Sequence, residues 1–179
     1  NIIGSENSNK MEDIVYKYAK VLELEYSKEN LKKLAVSMKN KIPSYEWFLN
    51  AFKNIGWSKK DNIYSGEKNK NKVQTILEVI EKFVSQKIII ENFTIEHIIP
   101  DSEGLENAQI GNLIPIEERL NRLCANKEIK EKANVYSESN FATTRNMASR
   151  INTGKYDINS RTEFLAKLIY NNILELEQY

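Results

Sequence analysis

Residues 93–102, FTIEHIIPDS, hold the single histidine of a 179-residue chain, with a glutamate before it and two isoleucines after it. Imidazole has an ordinary pKa of about 6.5, so at neutral pH most of it can take a proton from water. A phosphodiester hydrolase working at neutral pH needs such a base, a cation to neutralise charge developing on phosphate and leaving oxygen, and groups that hold both. A hard divalent cation such as Mg²⁺ takes carboxylate, carbonyl and water oxygens. Glu96 and a nearby asparagine amide suit it chemically. Read on its apolar neighbours alone, the same histidine is a hydrogen-bonded, half-buried strand residue, and the local stretch leaves both readings open.

Cys124 is the only cysteine, so no intrachain disulfide forms and a reducing, cytoplasmic setting is expected. One cysteine and one histidine do not furnish the usual ligand set of a zinc site, so zinc is not expected and a bound metal should be held by oxygens. A composition of 41% hydrophobic and 28% charged residues reads as globular. No apolar run reaches the roughly 18 residues of a membrane span, and NIIGSENSNK lacks the regions of a signal peptide, so no membrane partner is expected. A start at asparagine rather than methionine reads as a portion of something longer. The net charge of +1 is uneven: residues 1–90 carry 16 Lys against 11 acidic residues, and residues 91–179 carry 10 basic against 14 acidic. The lysine-rich stretch SKKDNIYSGEKNKNK, residues 58–72, reads either as a phosphate-tracking surface or as a solvated loop.

The elements that must position these groups follow from periodicity. Met11, Ile14, Val15 and Tyr18 predict one amphipathic helix; Leu31, Leu34, Ala35 and Met38 predict a second behind a Ser27 cap. Ser44 caps a third, YEWFLNAFKNI, for which Gly56 is the expected left-handed stop. Val73, Ile76, Leu77, Ile80 and Val84 predict a fourth. FTIEHII and GNLIPI then predict two short strands of a hairpin, the first closed by Pro100. IEERLNRLCANKEIKEK predicts one helix carrying Ile116, Leu120, Leu123 and Cys124 on a stripe. Two more helices complete the chain, from Phe141 to about Ile151 with a stop near Gly154, and a C-terminal one with Leu165, Leu168, Ile169, Ile173 and Leu176 on its apolar face and SRTE, residues 160–163, as a capping box. The predicted fold class is α+β, mostly helical, with a short antiparallel hairpin embedded among helices. Strict strand alternation sends Glu96 and His97 to opposite faces. For both to serve one site the strand must end, bulge or twist there.

Asn112 lies 15 residues after His97 and Asn121 nine further on. Asn112 follows glycine and is open to a plain turn role, whereas Asn121 sits inside a predicted helix, where asparagine has poor propensity and a functional reason is favoured. EHIIP, GNL and Asn121, in this order on strand, strand and helix, resemble the ββα-metal, or HNH, nuclease finger. They resemble in particular the C-terminal HNH domain of GmrSD-type, modification-dependent (Type IV) restriction enzymes and related phage-defence proteins. The residues that carry it are Glu96, His97 and Pro100; Gly111, Asn112 and Leu113; Asn121; Lys132; Ser139; and Arg161. It covers residues 93–170, and the preceding helices are similar to the segment that joins an N-terminal nucleotide-dependent domain to the nuclease in such proteins. The corresponding division is a helical linker or support region over 1–90 and a nuclease domain with C-terminal helices over 91–179.

The resemblance implies that His97 is the general base and that Glu96 and Asn121 hold one divalent metal, Mg²⁺ before Mn²⁺, which stabilises the leaving 3′ oxygen. The products would carry 5′-phosphate and 3′-hydroxyl ends. Asn112 would orient His97 or pin the loop. Expected nucleic-acid contacts are Lys132, Arg161, Arg122, Lys59 and Lys60, and Glu96, His97 and Asn121 should converge on one exposed cleft. The function so implied is a metal-dependent DNA endonuclease domain, the effector of a restriction or phage-defence protein, partnered by DNA and by the N-terminal domain of the same larger protein. The competing reading is a catalytically inactive nucleic-acid-binding or helical interaction module.

Overall fold

The computed structural model describes residues 9–125 and 127–173. It is an α+β, mostly helical fold. The helices are α1 (Asn9–Leu24), α2 (Lys28–Lys39), α3 (Tyr45–Lys53) and α4 (Glu67–Ser85), then α5 (Glu118–Cys124), α6 (Ile129–Tyr136), α7 (Ala142–Asn152) and α8 (Ile158–Leu168). Strands β1 (Thr94–His97) and β2 (Leu113–Ile116) lie between α4 and α5. By compactness the chain divides into two units, residues 1–52 with 167–179 and residues 53–166.

In the first unit α1 and α2 pack together, tied by the hydroxyls of Tyr18 and Ser37 at 2.9 Å. The expected caps form: Ser27 Oγ accepts from the Asn30 amide at 3.1 Å and Ser44 Oγ from the Trp47 amide at 3.3 Å. Phe48, Phe52 and Tyr170 make an aromatic cluster with neighbouring ring centroids 5.3–5.8 Å apart. The C-terminal helix passes into a π-helical turn at Ile169–Ile173, and Leu176 lies outside the described residues.

The second unit is built around the hairpin. β1 and β2 are antiparallel, with Thr94 opposite Ile116, Ile95 opposite Pro115, Glu96 opposite Ile114 and His97 opposite Leu113. Helices α5, α6 and α7 bring Leu120, Cys124, Ala133, Tyr136, Met147, Ala148 and Ile151 into one apolar core with Ile98, Ile114 and Ile116. The single helix expected over IEERLNRLCANKEIKEK is two, because Glu128 and Glu131 form a reciprocal capping box that starts α6 afresh. Ile116 accordingly sits in β2, and Leu123 is exposed.

Two glycines have steric duties. Gly56 is not the left-handed stop expected of it: its backbone bridges to Gln109, and a Cβ there would stand 2.3 Å from the Ala108 carbonyl oxygen. A Cβ on Gly111 would meet the Ile158 carbonyl oxygen and Thr162 Oγ1 at 2.2 Å each, so glycine at 111 lets α8 lie against the start of β2. The start of α8 is held by Asp157, whose Oδ1 accepts from the Ser160 amide at 2.7 Å, rather than by the expected SRTE box. Gly154 does close α7 with φ 66°.

α7 has no capping side chain at its own N-terminus. Glu81 of α4 supplies one from 61 residues away, accepting from the Ala142 and Thr143 amides at 2.7 and 2.9 Å and from the Thr143 hydroxyl at 2.6 Å. A buried carboxylate on the otherwise unpaired first-turn amides of a helix satisfies both the amides and the positive end of the helix dipole.

Candidate active site

His97 ends β1 and faces Trp57, with the two ring centroids 5.5 Å apart. Its Nε2 lies 2.8 Å from the Trp57 carbonyl oxygen. A carbonyl only accepts, so Nε2 carries the proton and, in the neutral ring, Nδ1 carries the lone pair. Burial pulls the His97 pKa below its ordinary value, against the raising influence of the Trp57 carbonyl and of the Asp101 and Glu96 carboxylates, while Lys59 adds to the lowering. At neutral pH the ring is therefore an uncharged base with one defined basic nitrogen. Asp101, absent from the sequence-based candidates, stands 4.0 Å from Nε2. Burial pushes its pKa up, but the Ser58 hydroxyl, His97 and the Lys59 amide outweigh that and leave it below the usual carboxylate value. Ser58 Oγ donates to Asp101 Oδ2 at 2.7 Å, so the carboxylate is fixed beside the imidazole.

Strand alternation holds through His97. Glu96 points to the opposite face, where its Oε1 accepts from Lys132 Nζ at 2.8 Å and from the Tyr136 hydroxyl at 3.1 Å. Asn121 Nδ2 donates to Thr94 Oγ1 at 2.7 Å, with the Ile95 carbonyl at 3.4 Å. The structure thus groups Glu96 with Lys132 and Tyr136, Asn121 with Thr94, and His97 with Trp57 and Asp101.

Asn112 serves the loop between the strands. Its Oδ1 accepts from the Ile99 amide at 2.9 Å and the Tyr156 hydroxyl at 2.6 Å, and its Nδ2 donates to the Ile99 and Asn107 carbonyls at 2.6 Å each. All four positions of the amide are used, and they pin the backbone two residues beyond His97. Of the expected nucleic-acid contacts, Lys132 and Arg161 are buried and turned to the main chain. Arg161 donates to the carbonyls of Ile110, Gly111 and Leu113 at 2.8–3.3 Å, and burial lowers its pKa to about 10. Lys59, Lys60 and Arg122 are exposed, with Arg122 paired to Glu118. Lys59, Lys70 and Arg122, with Gln74, Asn121 and the wall of Trp57, line a cleft of about 760 Å³. Trp57 thus borders this cleft and also holds the proton on His97.

The donor set expected for a divalent cation does not fit one as it is folded. Glu96 offers a carboxylate already bonded by an ammonium and a phenol, and Asn121, whose Nδ2 is held by Thr94, offers one amide oxygen, which together are not an oxygen cage. Among the described residues no group of three or more His, Cys, Asp or Glu could hold a metal ion. Nor, among them, is any helix long and apolar enough to cross a membrane.

No curated protein and no solved structure matches the chain. The family model described as GmrSD restriction endonucleases, C-terminal domain, matches residues 43–168. That span is more than half of the sequence and contains His97, Asn112, Asn121, Lys132 and Arg161. The chain belongs to the family of GmrSD restriction endonuclease C-terminal domains, and so to the nucleases of restriction systems.

Proposed function

We propose that the domain is a DNA endonuclease in which His97 removes a proton from the water that attacks the phosphodiester. The observation that carries this reading is the hydrogen bond from His97 to the Trp57 carbonyl: it fixes the tautomer and leaves Nδ1 as the base, in a ring whose lowered pKa keeps it neutral. The neighbouring cleft supports it, because Lys59, Lys70 and Arg122 give a phosphate backbone cations to follow. Attack by water in line with the 3′ oxygen gives 5′-phosphate and 3′-hydroxyl ends. A divalent cation, Mg²⁺ before Mn²⁺, is part of the proposal as a requirement of the reaction. Glu96, closed onto Lys132 and Tyr136, does not fit it as folded.

The domain would be the effector of a larger restriction or phage-defence protein in the cytoplasm, with an N-terminal nucleotide-dependent domain as its intramolecular partner. The test is plasmid nicking by the chain and by His97→Ala, with Mg²⁺ or Mn²⁺ and with EDTA. A general base contributes roughly 10²–10⁴-fold to rate, and a loss of that size is expected on removing the imidazole. Nicking at an unchanged rate by the alanine variant would refute the assignment. DNA retention without nicking by the unmodified chain would favour the binding-module reading.

A further inference from the structure

We propose that Glu96 is a positioning residue and not a metal ligand: its carboxylate and the Lys132 ammonium form a closed internal ion pair that fixes the strand end on which His97 is mounted. The pair is 2.8 Å apart, with side-chain exposures of 6% for Lys132 and 9% for Glu96, so neither charge is screened by solvent. Lys132 Nζ also donates to the His97 carbonyl at 2.8 Å and the Ile98 carbonyl at 3.2 Å. Three acceptors match the three hydrogens of an ammonium, and two of them belong to His97 and the residue after it. His97 is thereby gripped from both faces of the strand, through its ring by Trp57 and through its own carbonyl by Lys132.

Charge argues in the same direction. The buried carboxylate is neutralised by the ammonium beside it, and a divalent cation on Glu96 would sit against that ammonium in a poorly screened interior. The kinetic part of the proposal rests on the nuclease reading above; the thermal part does not.

The experiment uses Glu96→Gln, Lys132→Met and the double variant Glu96→Leu with Lys132→Met. Removing one partner leaves the other charge buried alone, and each single variant should melt roughly 10 °C lower. The apolar double variant should recover at least half of that loss. In nicking assays Glu96→Gln should lower kcat by roughly 10²-fold through misplacement of the base, with KM for DNA and the half-saturating Mg²⁺ concentration unchanged. The change in Tm between Mg²⁺ and EDTA should be the same in Glu96→Gln as in the unmodified protein. A double variant no more stable than the singles overturns the pairing. A Mg²⁺ requirement raised about tenfold or more, or a Mg²⁺-induced rise in Tm that vanishes with Glu96→Gln, overturns the positioning role in favour of ligation. If the unmodified protein does not nick DNA, the nuclease reading fails while the melting cycle still decides the pair.

Discussion

Replacing Asn112 with alanine removes four hydrogen bonds at once from the loop that follows His97. The side chain is fully buried, so water does not enter freely to replace them. At about 1 kcal/mol net per bond and roughly 2–4 °C of Tm per kcal/mol for a chain of this size, the loss is roughly 4 kcal/mol and the fall in Tm roughly 8–16 °C. Asn112→Asp is the sharper probe. It keeps acceptors for the Ile99 amide and the Tyr156 hydroxyl but puts an oxygen where Nδ2 now donates to two carbonyls, so it should destabilise at least as much as alanine. Thermal denaturation, paired with plasmid nicking well below both midpoints, measures the two effects separately. An Asn112→Ala protein that melts within about 2 °C of the parent yet no longer cuts would refute the reasoning. In that case the amide acts at the reacting centre and does not serve as a pin.

Two further outcomes are expected. Because burial lowers the His97 pKa and the base must be neutral, the acid limb of the pH profile of kcat/KM should lie below about 6.5. Asp101→Asn should move it lower still, because Asp101 raises that pKa; a limb that moves upward would contradict the assignment. Glu81→Gln leaves one acceptor oxygen and no charge at the start of α7, and should cost about 1–2 kcal/mol, or roughly 2–8 °C in Tm. A melting curve superimposable on the parent's would show that α7 needs no outside cap.

What the sequence revealed was local. Alternation and Pro100 located β1, GNL located the turn into β2, and serine caps located α2 and α3, because each depends on residues within a few positions. The break between α5 and α6 escaped the reading because the composition on both sides of it favours helix, while the interruption is made by two glutamates that cap the second helix. The surroundings of His97 were least legible. Trp57 meets it through a backbone oxygen 40 residues away, which no side-chain pattern encodes. Asp101, four residues on, had a signal in its spacing, but only the turn at Pro100 makes it a neighbour. Buried Lys132 and Arg161 read as phosphate ligands because sequence shows a cation's presence and not the direction it faces. The tension over Glu96 and His97 was visible in advance, and the strand resolves it by plain alternation.

Both of those buried cations hold main-chain carbonyls, Lys132 at residues 97 and 98 and Arg161 at 110, 111 and 113. A grip on carbonyl oxygens is indifferent to the side chains of the residues gripped. The turn between these holds is clasped at its two ends, and residues 102, 103, 105 and 106 at its tip are exposed. That tip is therefore a place where the sequence can diverge, lengthen or acquire a recognition element while the geometry of the histidine behind it stays the same.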